Sequence, residues 1–219
     1  MVKKEFYINF SGIYSDIFCD ESRSRKLDLT ILEGTNCYCC EEASESVRTA
    51  LGDVPVDALH WIDTGDYHYT SLFFLERIKT PYTLILLDHH PDDQDSAFGD
   101  GILSCGNWVS RARKLPNQVE DYFIDRFPSP LTFKHGKAYL SIDKDVLSRS
   151  FARTNWDQGT MSLEELKSVL MAVADSYDII GADVCGGLTE SKGAGGEDFK
   201  INCDTDAELR ELLLNLMSV

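Results

Sequence analysis

Asp88-His89-His90-Pro91-Asp92 is the stretch whose residue types and spacing point most directly to chemistry. It follows the apolar run Tyr82–Leu87, which is long enough for a buried strand and too short for a helix. Alternate residues of an extended chain point the same way, so Asp88, His90 and Asp92 can converge while His89 turns aside. Two carboxylates and an imidazole meeting at one point suit a divalent metal ion. Asp143-Lys144-Asp145, at the end of Lys137–Ile142, again puts two acids on one side of extended chain. His68 lies in the loop 63–71 after another predicted strand, and Asp183 ends Asp178–Val184. Any one of these is also the ordinary composition of a solvated turn. Four strand ends carrying them in one chain favour a shared site.

Strand carboxyl ends gather at one place in an α/β architecture, where ligands bind outside the sheet. The pattern predicts strands at Glu5–Phe10, Leu27–Leu32, Ala58–Ile62, Tyr82–Leu87, Val119–Phe123, Lys137–Ile142 and Asp178–Val184. Helices are expected over Glu41–Leu51, Leu72–Ile78, Asn107–Lys114 and Ala207–Met217, with a further one from Ser162. Ser162 with Glu165 three residues on forms a capping box, and Leu163, Leu166, Val169, Leu170 and Val173 make the apolar stripe behind it. Ala58 to Asp92 reads as a βαβ unit, so His68 and Asp88–Asp92 emerge at the same sheet edge. If the two strands are neighbours, His68 reaches the same metal. The Gly-, Asp- and Ser-rich stretch 93–106 reads as a functional loop, and a turn through Pro128 and Pro130 follows. Gly186-Gly187 and Gly193–Gly196 form a flexible loop that lacks the Gly-Lys-Ser/Thr ending of a phosphate loop. Cys37-Tyr38-Cys39-Cys40 has no second ligand pair at zinc-finger spacing and reads as small thiols in a loop or helix start.

The 219 residues suffice for one domain, 1–219, with a real core. No apolar run reaches the ~20 residues of a membrane span. The start lacks a secretory h-region, and seven cysteines without such a signal point to reduced thiols in the cytoplasm. A net charge of -16 argues against nucleic acid or an anionic membrane as partner. A small-molecule substrate is the expected partner, with a homo-oligomer left open. His60, inside a strand, and Trp61 are expected in the core, while Trp108 and Trp156 are candidates to line a pocket.

Taken in order, these loops resemble those of the arginase/agmatinase (ureohydrolase) family. Its Gly-Gly-Asp-His-Ser, Asp-Ala-His-x-Asp and Ser-x-Asp-x-Asp-x-x-Asp-Pro loops correspond to Thr64-Gly65-Asp66-Tyr67-His68-Tyr69-Thr70-Ser71, to Asp88–Asp92 and to Ser141-Ile142-Asp143-Lys144-Asp145. The resemblance implies an arginase-like three-layer α/β/α fold with a mainly parallel sheet. It implies two divalent ions, Mn²⁺ in preference to Zn²⁺. One would be held by His68, Asp88, Asp92 and Asp143 and the other by Asp88, His90, Asp143 and Asp145. A metal-bridging hydroxide would then attack a non-peptide C–N bond in a guanidino or amide substrate. Asp183 stands where the family has an acid facing the substrate, and Cys105 where it has a proton-moving His. Tyr67 displaces His68 by one residue, the Asp-Pro after the third loop is missing, and the loops that grip arginine's amino-acid end are not recognisable. Arginase activity proper is therefore not expected. The alternatives are a one-zinc, deacetylase-like amidohydrolase and a non-catalytic metal-binding domain.

Overall fold

The computed structural model describes residues 5–15, 22–95, 101–127, 134–192 and 195–217. The Pro128–Pro130 turn and Gly193-Ala194 lie outside them, as does part of the 93–106 loop. In chain order the elements begin with β1 (Glu5–Asn9), β2 (Ser24–Asp28), β3 (Tyr38–Cys39), α1 (Glu41–Leu51), β4 (Leu59–Ile62), α2 (Thr70–Leu75) and β5 (Tyr82–Leu87). They continue with β6 (Leu103–Ser104), α3 (Trp108–Ala112), β7 (Gln118–Ile124), β8 (Gly136–Asp143), α4 (Leu163–Ala174), β9 (Tyr177–Cys185) and α5 (Gly196–Leu216). Seven strands form one sheet in the order β2-β1-β4-β9-β8-β5-β7, and every pairing in it is parallel.

Period-two alternation sorts the strand side chains onto two cores. Leu84 and Leu86 of β5 join Ile8, Val47, Leu51, Phe73, Phe74 and Trp108 on the face covered by α1, α2 and α3. Ile85 and Leu87 face the other way, with Leu140, Ile142, Leu166, Leu170, Leu209 and Leu213, under α4 and α5. Strands buried on both faces read as continuous apolar runs, as Tyr82–Leu87 does. Helices on both sides of a parallel sheet make the expected three layers. The Ser162–Glu165 capping box is present at the start of α4.

Several boundaries differ from expectation. The second strand is Ser24–Asp28, not Leu27–Leu32. An edge strand needs only Ser24 and Leu27 turned inward, and Ile31 is 86% exposed beyond it. Tyr38–Cys39 is a short strand paired antiparallel with Leu103–Ser104. The last helix starts at Gly196, eleven residues before Ala207, because its first turns are polar and half-exposed and carry little apolar period. β4 and β5 are not neighbours, since β9 and β8 lie between them. His68 nevertheless crosses that gap, because the chain after β4 runs over the carboxyl ends of the intervening strands.

Candidate metal centre

At those carboxyl ends the six predicted metal ligands come together. His68 Nδ1 lies 3.0 Å from Asp88 Oδ2, 3.1 Å from Asp92 Oδ2 and 3.8 Å from Asp143 Oδ2. On the other side of Asp88, His90 Nδ1 lies 2.9 Å from Asp145 Oδ2 and 3.7 Å from Asp88 Oδ1. The potential ligand atoms of His68, Asp88 and Asp92 all lie within 4.8 Å of one another, as do those of Asp88, His90 and Asp145. Asp88 belongs to both groups and presents one oxygen to each. Asp143 joins the His68 side. Its Oδ1 accepts the Asp145 amide at 2.9 Å, and its Oδ2 is turned to the His68 side.

The local fold explains the convergence. Asp143 caps the tight 3₁₀ turn Lys144–Val146 at the end of β8 and Asp145 lies within it, while Lys144 points away to Asp206, 2.6 Å off. Asp92 has φ +47°, a left-handed conformation that Asp tolerates better than most residues, and this turns its carboxylate back toward His68. The indole of Trp108 donates to Asp92 Oδ2 at 2.7 Å. His68 Nε2 lies 2.9 Å from Ser141 Oγ, which donates to Asp183 Oδ1 at 2.7 Å. A hydrogen bond at the far nitrogen fixes the ring and leaves Nδ1 for a ligand.

Asp183 is therefore not where the resemblance put it. It is fully buried behind His68 and touches the cluster through Ser141, because its β9 position lies below the rim of the sheet. Cys105 does line the cleft, with Asp88, His90, Asp92, Asp143 and Asp145, around a volume of about 260 Å³. His89 turns aside and uses its amide to bond Asp145 Oδ1 at 3.0 Å. Trp156, which contacts His90 edge-on with ring centres 5.9 Å apart, forms a wall shared with a second cleft of about 960 Å³. Ser141 and Asp157 were not singled out from sequence, and Trp108 was marked only as a candidate pocket wall. Asp157 is 3.2 Å from His90 Nε2 but 79% exposed, and no motif marks it. His60 is a core residue, stacked on Phe74 and bonded to Tyr139 and Pro55.

The electrostatics are those of a site short of positive charge. Burial, then Asp92, raises the Asp88 carboxyl, and burial raises Asp92. Burial and the facing Asp145 push Asp143 up to about 6, and burial does the same for Asp145 and Asp183. Burial opposes a charge on His68, yet Cys185, Asp88 and Asp92 carry its pKa well above the ordinary value. His90 is pushed up to about 11 by its hydrogen bonds to Asp145 and then Asp88. The buried atoms His68 Nδ1 and Asp88 Oδ2 have no hydrogen bond of acceptable geometry, although they lie 3.0 Å apart. An imidazole nitrogen and a carboxylate oxygen buried side by side, with positive charge drawn to the spot, fit a cation there.

No family model matches this chain. An uncharacterized protein from Thermotoga maritima is 27% identical over 195 residues, covering 82% of this chain and 78% of its own. The solved proclavaminate amidino hydrolase of Streptomyces clavuligerus superposes with TM-score 0.66 at 13% identity, over 98% of this chain and 91% of that one. A hypothetical agmatinase from Burkholderia thailandensis does so with TM-score 0.55 at 21% identity, over 79% of this chain. That match spans 62% of the Burkholderia chain. With its parallel seven-stranded sheet between two helical layers, the chain has the fold of the arginase/agmatinase (ureohydrolase) proteins.

Proposed function

We propose that this protein is a binuclear-metal hydrolase that cleaves a non-peptide C–N bond in a guanidino or amide substrate. The observation that carries the reading is the pair of ligand groups joined at Asp88, with His68 Nδ1 and Asp88 Oδ2 buried and unbonded on the His68 side. A one-zinc, deacetylase-like centre would leave either the His68–Asp92 group or the His90–Asp145 group without a purpose. His68, Asp88, Asp92 and Asp143 would hold one ion, and Asp88, His90, Asp143 and Asp145 the other. Mostly oxygen donors with two imidazoles favour Mn²⁺, with Zn²⁺ the alternative. Such a pair supplies Lewis-acid activation of water and polarisation of the scissile bond.

The chain's own groups do the rest. Asp88 and Asp143 set the spacing of the two groups, and Ser141 and Trp108 hold His68 and Asp92 in place. The thiol of Cys105 is raised by its hydrogen bond with Cys37 and by burial, so it keeps its proton at neutral pH and would face the substrate as a neutral hydrogen-bonding group. The larger cleft beyond Trp156, with Asn36, Asn155, Thr189 and Lys192 on its walls, would receive the part of the substrate that does not react. The test is a turnover screen of Mn²⁺-loaded protein against guanidino and amide compounds, scored by release of urea or ammonia. Turnover that disappears in Asp145→Ala supports the reading. Full metal loading without turnover on any of them would leave a binding domain instead.

A further inference from the structure

Among the described residues a third group of ligand atoms lies at the same centre, and neither the loop motifs nor the mechanism above uses it. It consists of His68, Asp143 and Cys185, all within 4.8 Å of one another. We propose that Cys185 is a sulfur ligand of the ion on the His68 side, a proposal that rests on the two-ion reading.

β9 runs beside β8 with Cys185 opposite Asp143, so the thiol and the carboxylate leave adjacent strands at the same height. Cys185 Sγ donates to Asp143 Oδ2 at 3.1 Å, and the residue is 1% exposed. The next residue, Gly186, has φ +89° and leaves no room for a Cβ, which would collide with Asp143 Oδ1. The end of β9 is thus pressed against the metal-binding carboxylate. The plain alternative is a small core thiol whose S–H caps Asp143. Against it stands the unbonded, buried pair His68 Nδ1 and Asp88 Oδ2 beside this group. The cation that would satisfy those two atoms lies among the same donors, where a thiolate binds at about 2.3 Å. On coordination the S–H proton passes to water and a sulfur lone pair takes the ion. A sulfur donor would make this position softer than its His90 partner, favouring Zn²⁺ or Co²⁺ there over Mn²⁺.

The experiment is a Co²⁺ titration of chelator-stripped protein, following near-ultraviolet sulfur-to-cobalt charge transfer alongside the cobalt content. The wild type should develop the band as cobalt binds, and Cys185→Ser and Cys185→Ala should both lose it while still taking up cobalt. The metal preference of both variants should shift from Zn²⁺ toward Mn²⁺. Bound cobalt with no band in the wild type would overturn sulfur ligation alone. A band that persists in both variants would do the same, because it would then come from Cys37 or Cys105 at the mouth of the cleft. A wild type that binds no cobalt would overturn this proposal together with the two-ion centre.

Discussion

Ser141 shows how much of the centre rests on residues that never face the cleft. Its hydroxyl joins His68 Nε2 to Asp183 Oδ1, so Ser141→Ala frees the imidazole to rotate. Loss of such a partner costs roughly 10–100-fold in metal affinity, and isothermal titration with Mn²⁺ should show that drop in a variant that still folds. Gly186→Ala puts a methyl group against Asp143 Oδ1 and a side chain at φ +89°. It should weaken Mn²⁺ binding and cost roughly 1–3 kcal/mol of stability in thermal unfolding. Asp88, His90, Asp92, Asp143 and Asp145 could be read as candidate ligands because they alternate after apolar runs, and His68 because its loop follows a predicted strand. Ser141 was visible as a letter of the third motif, but its role depends on β8 lying beside β9. The same pairing turned Asp183 from a residue expected to face substrate into a support for His68. Cys185 follows Asp183 by two residues, and strand alternation alone places both on one side. That signal was present and went unread.

Among the elements, the turn after β8 and helix α5 are tied together by Lys144 and Asp206. Lys144 is buried between two candidate ligands, and its ammonium lies 2.6 Å from the partly exposed Asp206 carboxylate. Asp206→Ala leaves a buried cation without its partner. The expected cost is roughly 1–3 kcal/mol, below that of a fully buried pair because Asp206 is partly wet. Chemical denaturation should show that loss together with weaker metal binding, since the turn that sets Asp143 and Asp145 loosens. Leu166→Ala, in the core under α4, should cost about 2–5 kcal/mol with metal affinity unchanged, which separates the two effects. Strands such as Tyr82–Leu87 could be read because both their faces are buried. The start of α5 could not be, because Gly196 to Asp206 is polar and is fixed by contacts such as Arg153 with Asp198, 3.0 Å apart. Strand order was beyond the sequence as well. Nothing local shows that β9 and β8 insert between β4 and β5, which only later segments of the chain decide.

Across the whole molecule, the acidity of the centre couples folding, pH and metal. In the metal-free chain Asp143, Asp145 and Asp183 titrate near about 6 instead of 3.8. The folded state therefore holds more protons than the unfolded state between about pH 4 and pH 6, and that stabilisation is lost as pH rises through about 6. His90, raised to about 11, acts in the same sense above its ordinary value. His60 acts in the opposite sense: burial lowers it to about 4, so it withdraws stability as pH falls below about 6.5. Metal ions replace the protons of the centre, so their affinity rises with pH. Thermal unfolding with and without Mn²⁺ should show a larger gain in Tm at about pH 7.5 than at about pH 5.5. A gain that shrinks with pH would argue against carboxylate ligation.

The central claim is a pair of ion positions that share Asp88, and its most direct measurement is metal content. Protein purified without chelator, loaded with Mn²⁺ and freed of excess should carry about two ions per chain. Asp88→Ala should lose both, and Asp145→Ala chiefly the one on the His90 side. One ion per chain, or a content that Asp88→Ala leaves unchanged, would contradict it.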